Sequence, residues 1–376
     1  MLAQRPPLGW NSWNTFGKDI DEKLILEIAD AFVEKGYKDA GYEYIVIDDC
    51  WSLKKRDENN RLVPDPQKFP HGMKYIADYI HSKGLKFGMY SCAGTMTCAG
   101  YPSSYGYEYI DAKTFAEWEI DYLKYDFCFF PYSGDCKNAY LTMSLALRSC
   151  GRDILFAACN WGREEPWNWM RSVGAHIYRS TKDIHDNYTS FTDILLSQEA
   201  NFSMSAPGCY NDIDMLTVGM YGNGLVGIKD GCTDDEYKLQ FALWCIYSAP
   251  LLMGGDIRNI NDFSHELLLN KELLQINQDE EARPPIAYKF WNQETLKIYF
   301  KILSNNEYVI MFANYEDDEK NFHIALTDLG IPSNSGMALD MHDVFTGKKI
   351  DLIKDYYNAD VARHSCVMLK GKLINV

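Results

Sequence analysis

Short apolar runs and helical stretches alternate along most of the chain. Tyr44-Ile-Val-Ile47 is brief, β-branched and apolar throughout, the pattern of a strand buried on both faces. Before it, Asp21–Lys35 carries apolar positions at helical spacing and closes on Gly36, a residue suited to a helix C-terminus. The same pattern predicts strands near Pro7–Trp10 and over Leu85–Tyr90, Tyr122–Tyr125, Ile154–Ala158, Ala175–Tyr178, Gly208–Asn211 and Pro250–Met253. Helices are predicted over Ala112–Ile120, Lys137–Arg148, Tyr188–Ser197 and Asp234–Tyr247. Strands separated by helices imply a parallel sheet, and eight such units close naturally into a (β/α)8 barrel. A doubly wound open sheet is the alternative. It lacks support, because no glycine-rich dinucleotide fingerprint follows the first strand.

After about Pro285 the pattern changes. Leu296–Leu303 and Tyr308–Ala313 read as strands joined by the turn-type linker Ser304-Asn-Asn-Glu307. Val344–Ile350 reads as a hairpin around Gly347, and Val367–Lys370 as a last strand. No long helix interrupts them. The expected architecture is therefore α/β: a catalytic (β/α)8 TIM barrel over residues 1–284, then a small C-terminal antiparallel β-sandwich over 285–376.

Composition narrows the function. Of 376 residues, 47% are hydrophobic, enough for a large core. The net charge of −16 is broken by no basic stretch, which argues against nucleic acid and favours a neutral substrate. No apolar run is long enough to suggest a membrane partner. The 11 cysteines are scattered and form no short-spaced metal pair with histidine nearby, so neither metal nor cofactor is expected. The N-terminal segment lacks a charged region followed by an apolar run, and the expectation is a cytoplasmic protein with mostly reduced thiols. Aromatic residues reach 14%. They fill a core, and their faces also suit the C–H groups of sugars.

Barrel enzymes carry their chemistry at the C-terminal ends of the strands. Asp48, Asp49 and Trp51 follow Ile47; Asp126 follows Lys124; Arg179 and Asp183 follow Tyr178; Asp212 and Asp214 follow Asn211. Carboxylates so placed could hold a metal, with Asp48, Asp49 and Asp214 as ligands, or cleave a glycoside as a pair. Trp10, Trp51, Tyr90 and Trp161, interleaved among them, favour the sugar. Lys124 and Asp126 sit two apart on a strand and point to the same side, so the ammonium is expected to hold Asp126 ionised, as a nucleophile requires. A plain Lys–Asp ion pair is the competing reading. Asp183 is the candidate acid/base, with a pKa raised by burial or by a second carboxylate; alternatively it caps the following helix. Asp48 and Asp49 could be ordinary turn residues, and Arg179 and Asp214 a structural ion pair. His185 lies close enough in sequence to touch the site, although a solvated position at a helix start suits it better.

The ordered motifs Pro7-Leu-Gly-Trp-Asn-Ser-Trp13, Ile47-Asp-Asp-Cys-Trp51, Leu123-Lys-Tyr-Asp-Phe-Cys128, Cys159-Asn-Trp-Gly162, Arg179-Ser-Thr-Lys-Asp-Ile184 and Asn211-Asp-Ile-Asp-Met-Leu216 resemble the family 27 glycoside hydrolases, the melibiase-type α-galactosidases. The resemblance implies a retaining exo-glycosidase acting on terminal α-galactosides by double displacement. It implies Asp126 as nucleophile and Asp183 as acid/base. Trp10, Asp48, Asp49, Tyr90, Cys98, Lys124, Arg179 and Asp214 match positions lining the galactose pocket, and Asn160 a position near the 2-hydroxyl. The paired Asp48 and Asp49 match the residues that hold the 4- and 6-hydroxyls. Cys98 and Cys128 match a family disulfide pair, while Cys50 and Cys159 lack their partners. Asn160-Trp161-Gly162-Arg163 lacks the small residues of N-acetylgalactosaminidases, and both aspartates of the pair, one of which β-L-arabinopyranosidases replace, are kept. The expected partner is an α-galactoside oligosaccharide or glycoconjugate; a homo-oligomer is left open, as is a sugar-binding protein without catalysis.

Overall fold

A computed structural model describes residues 2–290 and 293–376. The chain folds as two compact units, Met1–Gly231 with Pro250–Asn261, and Cys232–Ala249 with Asp262–Val376.

The first unit holds eight parallel strands: β1 (Leu8–Asn11), β2 (Tyr44–Val46), β3 (Lys86–Cys92), β4 (Tyr122–Asp126), β5 (Leu155–Cys159), β6 (Ile177–Arg179), β7 (Tyr210–Asp212) and β8 (Leu251–Met253). They run in the order β7-β6-β5-β4-β3-β2-β1-β8. The ring is completed just past β7, where Leu216 N donates to Leu252 O at 2.8 Å and Gly254 N to Leu216 O at 2.9 Å. This is the expected TIM barrel. Its strands are brief and buried because both faces are covered, which is why they read as unbroken apolar runs.

Two glycines let bulky rings fill the centre. Gly9 is registered with Tyr44, and Gly88 with Tyr122. A Cβ on Gly9 would lie 2.7 Å from the Tyr44 Cβ, and one on Gly88 3.1 Å from the Tyr122 Cβ. Tyr44 and Tyr122 then meet across the barrel with ring centroids 5.4 Å apart.

The short helix α1 (Trp13–Phe16) follows β1, and α2 (Glu22–Glu34) follows it. In α2, Asp21 caps the N-terminus by accepting from Leu24 N at 2.8 Å, and Leu24, Ile25, Ile28 and Phe32 form the buried stripe. The helix ends at the Gly36 turn, where φ is 81°. Helix α3 (Gly72–Ser82) is absent from the sequence expectations, although Met73, Ile76, Ala77 and Ile80 bury at helical spacing. Helices α4 (Glu108–Glu117), α5 (Cys136–Ser149) and α6 (Tyr188–Gln198) lie close to their predicted spans. Between β5 and β6 there is only a single 3₁₀ turn, Pro166–Asn168.

Among the described residues the second unit contains α7 (Asp234–Ile246), α8 (Asp262–Leu268), α9 (Lys271–Asn277) and seven strands: β9 (Ile286–Phe290), β10 (Gln293–Ile302), β11 (Glu307–Asn314), β12 (Lys320–Ala325), β13 (Met337–Asp343), β14 (Tyr356–Val361) and β15 (Cys366–Asn375). A five-stranded antiparallel sheet, β13-β15-β11-β10-β9, faces the pair β12-β14. Ile298, Phe300, Ile310, Phe312 and Leu369 of the first pack with Phe322, Ile324 and Val361 of the second. The expected hairpin at 344–350 is present as a turn, but its outgoing arm is the end of β13 and its return arm makes isolated bridges, His342 with Lys349 and Leu339 with Ile353. Strands β12 and β14 carry little strand signal in the sequence, because each buries only two side chains between polar ones.

Candidate active site

Past β2 the chain turns through Cys50, whose φ is 72°. The turn fixes two successive carboxylates. Asp48 Oδ1 accepts from Asp49 N at 2.9 Å, and Asp49 Oδ1 from Cys50 N at 2.7 Å. The outer oxygen of Asp48 accepts from Asn11 Nδ2 at 2.8 Å and Lys124 Nζ at 2.7 Å; that of Asp49 accepts from Ala99 N at 2.9 Å. Both side chains are buried, and burial pushes the Asp49 carboxyl above its ordinary range against the pull of those backbone donors.

Lys124 and Asp126 share one side of β4, as their spacing predicts, and both line a cavity of about 330 Å³ at the barrel's C-terminal end. Two expectations for the pair are corrected. The Lys124 ammonium pairs with Asp48, not with Asp126. The Asp126 carboxyl is pushed up to about 6, not held low: burial dominates, and the attraction of Lys124 with the Phe127 N donor offsets only part of it. Asp126 is 6% exposed. Its Oδ1 accepts from Phe127 N at 2.9 Å and its Oδ2 from Tyr90 Oη at 3.1 Å. Cys98 is bonded to Cys128, and its sulfur lies 3.4 Å from the Asp126 carboxylate.

Burial alone would lower the Lys124 pKa, and Asp48 more than compensates, so it is raised. Lys124→Met would leave the Asp48 carboxylate buried with the Asn11 amide and the Asp49 N–H as its donors. It is expected to cost about 3–5 kcal/mol. Urea denaturation checks this, and a midpoint equal to that of the unaltered protein would show the pair to be dispensable.

The opposite wall comes from β6 and the segment after β7. Arg179 Nη2 lies 2.5 Å from Asp214 Oδ2 and donates to Asp183 Oδ1 at 2.8 Å. Asp214 adopts φ 82°, which turns both its oxygens toward donors: Ile184 N at 2.7 Å and Met215 N at 2.8 Å. Burial raises its pKa although Arg179 opposes this. The Arg179–Asp214 ion pair foreseen as an alternative is therefore present, inside the cavity wall. Asp48 and Asp214, which a metal-binding reading would need, are each committed to a cation. Asp183 departs from expectation: its side chain is 71% exposed rather than buried against aromatic rings, and the cap of α6 is Asn187 instead.

Asp48, Asp49, Tyr90, Cys98, Lys124, Asp126, Arg179, Asp183 and Asp214 all line the one cavity. Five carboxylates against two cations make it acidic, a setting that favours positive charge developing on a bound sugar. Of the residues that the resemblance matches to the pocket, two lie outside it. Trp10 is fully buried with Nε1 donating to Gly255 O at 2.8 Å, and Asn160 is fully buried with Nδ2 donating to Arg163 O at 2.6 Å. Trp13, the first residue of α1, lines the cavity in place of Trp10. Trp161 and His185 also line the cavity, as do Leu225 and Val226, which nothing in the sequence pattern points to.

A family model described as Alpha galactosidase A matches residues 5–279, and one described as Alpha galactosidase C-terminal beta sandwich domain matches residues 293–370. The chain is 40% identical to the alpha-galactosidase A of Cellvibrio japonicus, over 98% of this chain and 92% of that protein. The crystal structure of alpha-galactosidase I from Mortierella vinacea superposes with a TM-score of 0.91 at 33% identity, covering 98% of this chain and 97% of that one. The α-galactosidase of Saccharomyces cerevisiae with raffinose superposes with a TM-score of 0.90 at 27% identity, covering 99% and 98%.

Proposed function

The chain belongs to the melibiase-type α-galactosidases of glycoside hydrolase family 27, and we propose that it releases terminal, non-reducing α-D-galactosyl residues by double displacement. The observation that carries this reading is the placing of Asp126 and Asp183 on one cavity, the first buried and doubly hydrogen-bonded, the second exposed and within reach of water.

In the proposed first step Asp126 attacks the anomeric carbon while Asp183 protonates the departing oxygen. The Tyr90 hydroxyl and Phe127 N–H hold the attacking carboxylate at a fixed angle. In the second step Asp183 takes a proton from water, which displaces Asp126 and gives galactose of retained configuration. The adjacent carboxylates Asp48 and Asp49 and the Lys124 ammonium offer acceptors and a donor to the sugar's hydroxyls, which fits the axial and primary hydroxyls of galactose. The catalytic barrel is assigned to residues 1–284, the sandwich to 285–376, and the site of action to the cytoplasm, which cell fractionation tests. Raffinose-type oligosaccharides are a suitable substrate class, given the raffinose complex of the yeast relative.

Hydrolysis of a nitrophenyl α-galactoside followed by proton NMR is the test. The first product observed should be α-galactose, with the β anomer growing only through mutarotation. β-Galactose appearing first would overturn the retaining mechanism. Hydrolysis of only the N-acetylgalactosaminide or β-L-arabinopyranoside in a panel with the galactoside would overturn the substrate.

A further inference from the structure

The segment Gly219–Gly231 is built for close contact. A Cβ on Gly222 would lie 2.1 Å from Lys229 O, one on Gly227 2.1 Å from Gly222 O, and one on Gly231 2.5 Å from the Asp186 carboxylate. Gly224 has φ 84° and lies so near Thr15 that a Cβ would stand 2.7 Å from its Cα. Only glycine fits at these places. The loop is pinned on two sides. Leu225 N donates to Thr15 O at 3.3 Å and Val226 N to Asn14 O at 3.1 Å, which ties it to α1. Gly222 N donates to Asp186 Oδ2 at 2.7 Å and Asp186 N to Val226 O at 3.0 Å, which ties it to the segment carrying Asp183.

The outcome of this construction is an apolar side chain placed against the cavity and left largely in water: Leu225 is 56% exposed and lines the same cavity as Asp183 and His185. A rigid backbone holding an exposed leucine beside a catalytic carboxylate calls for a ligand to cover it.

Resting on the double-displacement reading, the direction of the ligand follows. The acid/base must reach the oxygen of the leaving group, so that group lies on the Asp183 side of the cavity. We infer that Leu225 is a specificity-determining residue that packs against the sugar ring of the leaving group, while the exposed His185 imidazole hydrogen-bonds one of its hydroxyls. The galactose itself is held by the opposite, acidic wall. The occupant is a neutral pyranose or furanose unit, whose C–H face suits leucine.

The test compares Leu225→Ala with the unaltered enzyme on raffinose and on methyl α-galactoside, together with inhibition by free galactose. Leu225→Ala should lower kcat/KM for raffinose about 5- to 10-fold, and Leu225→Met should restore most of it. Methyl α-galactoside turnover and the galactose inhibition constant should stay within about twofold. Equal losses on both substrates, or weaker galactose inhibition, would mean the loop merely supports the pocket, and no loss on raffinose would remove Leu225 from the leaving-group side. An unaltered enzyme inactive on both substrates would instead sink the galactosidase reading.

Discussion

Asp126→Asn is expected to lower turnover of a nitrophenyl α-galactoside by about 10⁴-fold or more, because the amide cannot form the glycosyl-enzyme. The same substitution should stabilise the protein in neutral solution. The Asp126 carboxyl is raised from 3.8 to about 6 by burial. Between those values the native state holds a proton that the unfolded chain has released, so stability falls as pH rises through this window. The cost is absent below 3.8 and complete above about 6, with a ceiling of about 3 kcal/mol. Asn carries no charge and escapes it. Melting temperatures at pH 4 and pH 7.5 should therefore show the variant gaining on the unaltered protein only at the higher pH, the trade of stability for activity found at strained sites. The kcat/KM of the unaltered enzyme should also climb with pH up to about 6, as Asp126 ionises. A variant that keeps its rate would remove Asp126 from the nucleophile's role, and a profile flat across that range would show its carboxyl to be ionised already below it.

Asp183→Ala should lose about 10²- to 10⁴-fold on oligosaccharides, whose leaving groups need a proton, and much less in the first step with a dinitrophenyl leaving group, which departs unaided. The second step would then limit, since no base activates water. Azide needs no base, so it should restore turnover and yield α-galactosyl azide, formed by attack on the covalent intermediate. In Asp126→Ala, azide should instead attack the substrate directly and yield the β azide. The two variants thus separate the roles by product stereochemistry. Identical azide products from both, or no rescue of either, would show that the two carboxylates do not divide the work as assigned. The exposure of Asp183 fits a group that exchanges protons with water in each cycle, and its hydrogen bond from Arg179 holds it toward the cavity.

Much of this molecule was legible before any coordinate. The eight barrel strands announce themselves as short apolar runs because a sheet covered on both faces leaves no polar period. Asp48, Asp49, Asp126 and Asp214 could be placed at one mouth because strand direction and the period of two are local properties of the backbone. What local pattern could not decide was which side chain each group meets. Lys124 meets Asp48, 76 positions away, and not Asp126 two positions away. Whether burial or a neighbouring ammonium governs the Asp126 carboxyl depends on how much water the closed barrel excludes, a property of the whole ring. Trp13, and not Trp10, reaches the cavity because α1 begins directly after β1 and turns the later ring inward. Leu225 comes to the site through hydrogen bonds to residues far off in the chain, at Asn14, Thr15 and Asp186. Spacing along the chain thus set the fold and the kinds of groups at the mouth. Packing between distant segments set their partners, their charge states and the side of the cavity each one faces, because burial and electrostatics act through space.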